Sequence, residues 1–184
     1  MSWFFIISTR LHSILQVLIR ETGRSSSDTM RASSFLLALA SPVLHKMLCG
    51  RFSESKEKKL RLDDVDMRTF LKTLDIWCGR GDAREIELCK VQQLAIVADR
   101  FQIAEVTSLL EKDMMGQLSL EACGEVLMWS GGCGMLQLEA AALKMAACRF
   151  EEFVRTAGFM RLGEEALGIL LDDDRLSARS EEAV

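Results

Sequence analysis

Apolar positions in the second half of the chain recur at the spacing that puts side chains on one face of a helix. Leu94, Ala95, Ala98 and Phe101 make one stripe, and Val106, Leu109, Leu110 and Met114 make another. Ser119 precedes a third helical run that carries Cys123, Val126, Leu127 and Trp129, and its hydroxyl suits an N-cap. A Gly-rich break follows at Ser130–Gly134. Further helices are expected over about Leu136–Cys148, Phe150–Thr156 and Glu164–Leu171. The first third reads differently. Ile14–Ile19 is a short β-branched run, Glu21–Asp28 is a polar Gly/Ser turn, and Thr29–Ala32 returns as the second strand of a hairpin. Over residues 3–20 a helix stays open as the alternative, because periodicity does not separate the two over such short runs.

Between these regions the punctuation is clear. Phe35–Ala40 is small and apolar, as a buried helix requires. Ser41–Pro42 reads as an N-cap followed by Pro at the first helical position, where its missing N–H costs nothing. The helix it opens runs over about Val43–Cys49, and Gly50 closes it. Arg51–Lys59 is a charged loop holding one aromatic, Phe52. Lys59–Leu62 alternates like a strand, and Asp66 caps a helix whose Phe70, Leu71, Leu74 and Trp77 recur at helical spacing. Gly79–Asp82 ends that helix in a turn.

Length and charge narrow the functional classes. The 184 residues suffice for one domain with a sizeable core plus a smaller companion. A net charge of −4 argues against general nucleic-acid binding, which needs a basic face. No apolar stretch reaches the roughly 20 residues of a membrane span, and Trp3–Ile7 lacks the flanks of a secretory signal. The six cysteines, at 49, 78, 89, 123, 133 and 148, are therefore read as reduced, in a cytoplasmic or nuclear protein.

Candidate chemistry is sparse. The cysteines form no CxxC pair, and His12 and His45 lie far from them in sequence, so no metal site is expected. Cys123, Cys133 and Cys148 are expected to fill core space, and His45 to be a partly buried packing residue. Ser130–Gly134 lacks the Lys-Ser/Thr that a phosphate loop needs. Asp172–Asp174 lacks the spacing of a calcium loop and reads as a solvated helix end. Nothing points to catalysis or to a cofactor.

The residues in this order resemble the BTB/POZ fold followed by a BACK helical domain. Phe35–Leu44 is similar to that family's Ser-Pro helix junction, Leu60–Asp66 with Phe70 to its strand-to-helix step, and Leu94–Ile103 to its helix pattern closing on Asp-Arg-Tyr, with Phe101 here in the Tyr place. Leu118–Cys123, Phe150–Phe153 and Leu170–Leu176 are similar to the BACK pattern. The resemblance covers about residues 13–184. It departs at Ser33, where the family carries His, at Ser13, where it carries Asp, and at Trp77-Cys78-Gly79, where it carries Tyr-Thr-Gly. The resemblance implies an α+β BTB domain over 13–117, a partial BACK array over 118–184, and an unplaced segment over 1–12.

The resemblance also implies a non-enzymatic adaptor that holds a cullin-3 scaffold of a ubiquitin ligase while an unknown substrate protein is held elsewhere. Within the family a hydrophobic-x-Glu motif after the second helix makes much of that contact. The matching positions are Phe52, Ser53 and Glu54. A loop aromatic has a free face to bury against a partner, and a neighbouring carboxylate adds directional bonds. The bland alternatives are a Phe52 folded back on its own domain and a Glu54 in a merely solvated charge run. A different functional class is a BTB self-association or scaffold module without a ligase role, pairing through a sheet edge or the N-terminal segment. Only residues 1–12 remain to supply the family's N-terminal dimer helix, so homodimerisation stays an open question. Ser180–Val184 reads as the start of a capped helix, giving the expectation that the chain is a piece of a longer protein.

Overall fold

The computed structural model describes residues 14–21, 28–49, 59–81, 86 and 88–176. Three strands and nine helices are present among them: β1 (Ile14–Arg20), β2 (Asp28–Ser33), α1 (Ser34–Ala40), α2 (Pro42–Cys49), β3 (Lys59–Asp63), α3 (Met67–Trp77), α4 (Leu88–Arg100), α5 (Ala104–Gln117), α6 (Leu120–Trp129), α7 (Leu136–Cys148), α8 (Phe150–Phe153) and α9 (Glu164–Leu171). Two short 3₁₀ turns, Gly131–Cys133 and Phe159–Arg161, join the later helices. The fold is α+β, a small sheet with helices followed by an all-helical array. No helix among the described residues is long and apolar enough to cross a membrane.

The chain divides into two compact units. The first takes the described residues up to Ile86 together with Ile96–Val106. Its sheet runs β2-β1-β3, with β1 antiparallel to β2 and parallel to β3. The strand reading of residues 14–19 and 29–32 therefore holds, and the helical alternative is excluded over the described part of that stretch. Alternation sends Leu15, Val17 and Ile19 of β1 and Leu60 and Leu62 of β3 to the buried side, in register as Val17 opposite Leu60 and Ile19 opposite Leu62. Leu37, Ala40, Leu44, Phe70 and Ile76 are buried in the same unit. Phe70 and Phe101 meet edge to face with centroids 5.3 Å apart. The Arg100 guanidinium donates to the carbonyls of Asp63 (2.7 Å) and Asp64 (2.8 Å), which ties down the end of β3. Asp64 there adopts φ 57°, the left-handed conformation that Asp tolerates better than most residues. Asp66 caps α3, accepting from the Thr69 N–H and hydroxyl at 2.7 Å each.

The second unit takes the described residues 88–95 and those from Thr107 onward. Its buried residues include Leu110, Met114, Cys123, Val126, Leu138, Ala142, Ala146, Phe153 and Leu170. Ser119 caps α6 through the Ala122 N–H at 3.2 Å. The start of α7 has no local side-chain cap. Buried Glu111, on α5, provides one from afar, its Oε1 accepting from the N–H groups of Gln137 (2.9 Å) and Leu138 (3.4 Å). Gly124 and Gly158 touch so closely that a Cβ on Gly124 would stand 2.3 Å from the Gly158 carbonyl oxygen. Phe159 packs edge to face on Phe150 (6.1 Å) and Phe153 (5.6 Å).

Several side-chain expectations are corrected. Cys148 is exposed rather than packed. The buried stripe of α7 runs through Leu138, Ala142 and Ala146, and a residue two positions beyond Ala146 points away from it. His45 is exposed, one position past the buried Leu44. Leu109 is 45% exposed because the stripe of α5 is Val106, Leu110 and Met114. Helix α8 stops at Phe153 rather than Thr156. The Thr156 hydroxyl donates to the Phe153 carbonyl (2.7 Å) and accepts from the Phe159 N–H (3.2 Å), closing a turn instead.

Candidate partner-binding surface

The three residues proposed from the sequence for partner contact, Phe52, Ser53 and Glu54, lie outside the described residues. What is described is the frame on either side of them. Before them comes α2, whose placement rests on Ser41. That side chain is fully buried. Its hydroxyl donates to the Phe101 carbonyl at 2.5 Å and accepts from the Leu44 N–H at 3.0 Å. Ser41 thus ends α1 through its backbone N–H, which donates to the Leu37 carbonyl, while its side chain starts α2 and pins the junction to a residue 60 positions later in the chain. Leu44 is wholly buried beneath α2, leaving Pro42, His45, Lys46 and Cys49 on its exposed side. After the three residues comes β3, held from Lys59 onward by its parallel pairing to β1. Both flanks of the segment are therefore fixed by core contacts.

A second surface feature was not foreseen. The apolar run of α1 predicts a buried helix, yet only Leu37 and Ala40 are buried. Leu36 is 46% and Leu39 62% exposed, and no charged residue interrupts the helix. Two large aliphatic side chains on one uncharged turn are the kind of exposed patch that marks an interface. The signal in the sequence was the run itself: a seven-residue helix with apolar residues all round has more apolar face than one neighbouring layer covers.

The titratable groups show no catalytic arrangement among the described residues. Burial pushes the Cys123 thiol up to about 11, against the opposing pull of the Arg149 charge, so it stays protonated and inert. Hydrogen bonds from the Arg175 side chain and backbone hold Asp173 down at about 2, with the guanidinium 2.6 Å away. Asp173 is thus committed to a local ion pair. No group of three or more His, Cys, Asp or Glu suited to a metal ion occurs among the described residues.

The small mixed sheet, the Ser41-pinned helix junction and the following helical array define a protein class. The BTB/POZ domain model matches residues 17–118 and the model described as BTB And C-terminal Kelch, the BACK domain, matches residues 123–184. The chain belongs to the BTB–BACK family. It is similar to human Kelch-like protein 30, at 28% identity over 149 residues, 80% of this chain and 25% of that protein. It is also similar to Kelch-like protein 2 of Rattus norvegicus, at 28% over 154 residues (83% and 26%), and to human Kelch-like protein 41, at 25% over 185 residues (96% and 30%). The chain spans about a quarter of the length of the curated relatives it matches.

Proposed function

We propose that the chain is a protein-interaction adaptor that engages a cullin-3 scaffold through Phe52, Ser53 and Glu54 and so links a substrate protein to a ubiquitin ligase. In this reading residues 13–117 act as the BTB domain and 118–184 as part of a BACK array, in the cytoplasm or nucleus. The supporting observation is the frame. Ser41 fixes the helix that leads into the segment, and the β1–β3 ladder fixes the strand that leaves it. A segment whose two flanking elements are fixed has less conformational freedom to lose on binding than one with free ends. Phe52 supplies the apolar anchor and Glu54 the directional acceptor.

The test is calorimetric titration of the purified chain with the N-terminal region of cullin-3. The expected result is micromolar or tighter binding that Phe52→Ala weakens by roughly 30-fold, the equivalent of about 2 kcal/mol for a buried aromatic anchor. Glu54→Lys weakens it as well. No binding at micromolar concentrations removes the reading.

One observation favours a second reading, a self-associating scaffold without a ligase role. The exposed Leu36 and Leu39 of α1 offer an apolar face that a second copy of the same helix is able to cover.

A further inference from the structure

The outward side of the sheet carries a feature that neither reading uses. Alternation along β1 and β3, and the register to β2, place Gln16, Leu18, Arg20, Thr29, Arg31, Lys59, Arg61 and Asp63 on the side away from the core. Arg20 is paired with Asp63 at 2.8 Å. Arg31, Lys59 and Arg61 are exposed and have no acidic partner among the described residues. Arg31 and Lys59 flank Gln16 from the two neighbouring strands, roughly 10 Å apart across two strand spacings. Lys59 and Arg61 follow one another on the same side of β3, about 7 Å apart. The acids nearest the sheet among the described residues, Glu21, Asp28, Asp63 and Asp64, all belong to its hairpin end. Open depressions of about 580 Å³, lined in part by Ile14, Gln16, Arg31 and Lys59, and about 340 Å³, lined by Leu18, Arg20, Arg61 and Asp63, occur at this sheet.

We propose that this basic sheet face is a docking surface for an extended acidic segment of a partner polypeptide. Charge complementarity carries the choice, since three cations on this side have no acidic ion-pair partner among the described residues, on a chain whose net charge is −4. Spacing refines it. An extended peptide places every second side chain on one side at the same ~7 Å interval that separates Lys59 from Arg61. Carboxylates at alternate positions meet the two cations in turn, while the apolar side chains near Ile14 and Leu18 receive an aliphatic residue. Nucleic acid fits less well, because the interleaved Leu18 and Ile14 offer phosphates nothing and the net negative charge repels a polyanion at long range. The proposal does not rest on the cullin-3 reading.

The experiment is fluorescence anisotropy of the full chain with a labelled peptide of alternating Glu and Val, at low and physiological salt. Binding is expected to weaken with salt and to fall at least about tenfold in the Lys59→Glu, Arg61→Glu double variant and in Arg31→Glu, with circular dichroism unchanged. The milder Lys59→Gln, Arg61→Gln pair is expected to lie between, which keeps the test valid if charge reversal disturbs the fold. Absence of peptide binding overturns the proposal, as does binding indifferent to all these variants. Tighter binding of a single-stranded oligonucleotide or of anionic vesicles overturns it too. So does a change in the chain's own oligomeric state on charge reversal, which would make the occupant a second copy.

Discussion

Asp66 shows most plainly what a single residue contributes. Burial pushes its carboxyl up, but hydrogen bonds from the Thr69 hydroxyl and backbone outweigh this and hold it below the ordinary 3.8. A carboxyl depressed by folding stabilises fully above 3.8, and the contribution is lost as pH falls through the lower, folded value. Asp66→Ala is expected to cost about 1 kcal/mol at neutral pH by urea denaturation, and the gap from wild type to close in acid. The cysteines divide by the same local logic. Maleimide labelling of the native protein, read by mass spectrometry, should modify exposed Cys49, Cys78 and Cys148 and spare buried Cys123 and Cys133 until denaturant is added. Asp66 and Ser119 were legible in the sequence because a cap is a local event, set by a polar side chain three residues before the N–H it accepts from. Cys148 and His45 were not. Their burial depends on which side of a helix the neighbours cover, and in short helices a single-position error reverses the answer.

At the scale of elements, strands and helices followed from patterning, whereas their junctions did not. Ser41–Pro42 announced a helix start, and the structure adds that the same hydroxyl reaches Phe101. Ser41→Ala leaves that buried carbonyl without its donor and the Leu44 N–H without its acceptor. A loss of about 2 kcal/mol in stability is expected, measured by thermal or chemical unfolding. Glu111 carries no local signal of its role in the sequence, because its duty to the start of α7 lies 26 residues away. Gly124 carries no turn signal either. It is required by a close approach to Gly158 that only the folded chain creates. A Cβ there meets backbone, which cannot swing aside as a side chain does. Gly124→Ala is expected to destabilise by about 3 kcal/mol and to lower the melting temperature well beyond Gly116→Ala, whose added Cβ meets nothing within 4 Å.

For the whole molecule, the order of elements carried the family, while the surfaces carry the function. A BTB–BACK chain spanning about a quarter of its Kelch-like relatives presents two surface regions of different chemistry among its described residues, besides the segment proposed from the sequence. The segment with Phe52 and Glu54 is flanked by fixed elements, the α1 face is apolar, and the outer sheet face is basic. That segment is proposed from a motif contiguous in sequence and lies outside the described residues. The α1 run predicts core, but an apolar run says nothing about how many of its sides are covered. If α1 pairs two copies, Leu36→Glu with Leu39→Glu converts a dimer to a monomer in sedimentation equilibrium and leaves the fold intact, both side chains being exposed. The adaptor account is tested most directly by sedimentation velocity of the chain mixed with the cullin-3 N-terminal region. The account predicts a faster-moving complex containing both proteins, which disappears with Phe52→Ala and persists when Leu36 and Leu39 are replaced. Two separately sedimenting species at micromolar concentrations, or a complex indifferent to Phe52→Ala, would contradict it.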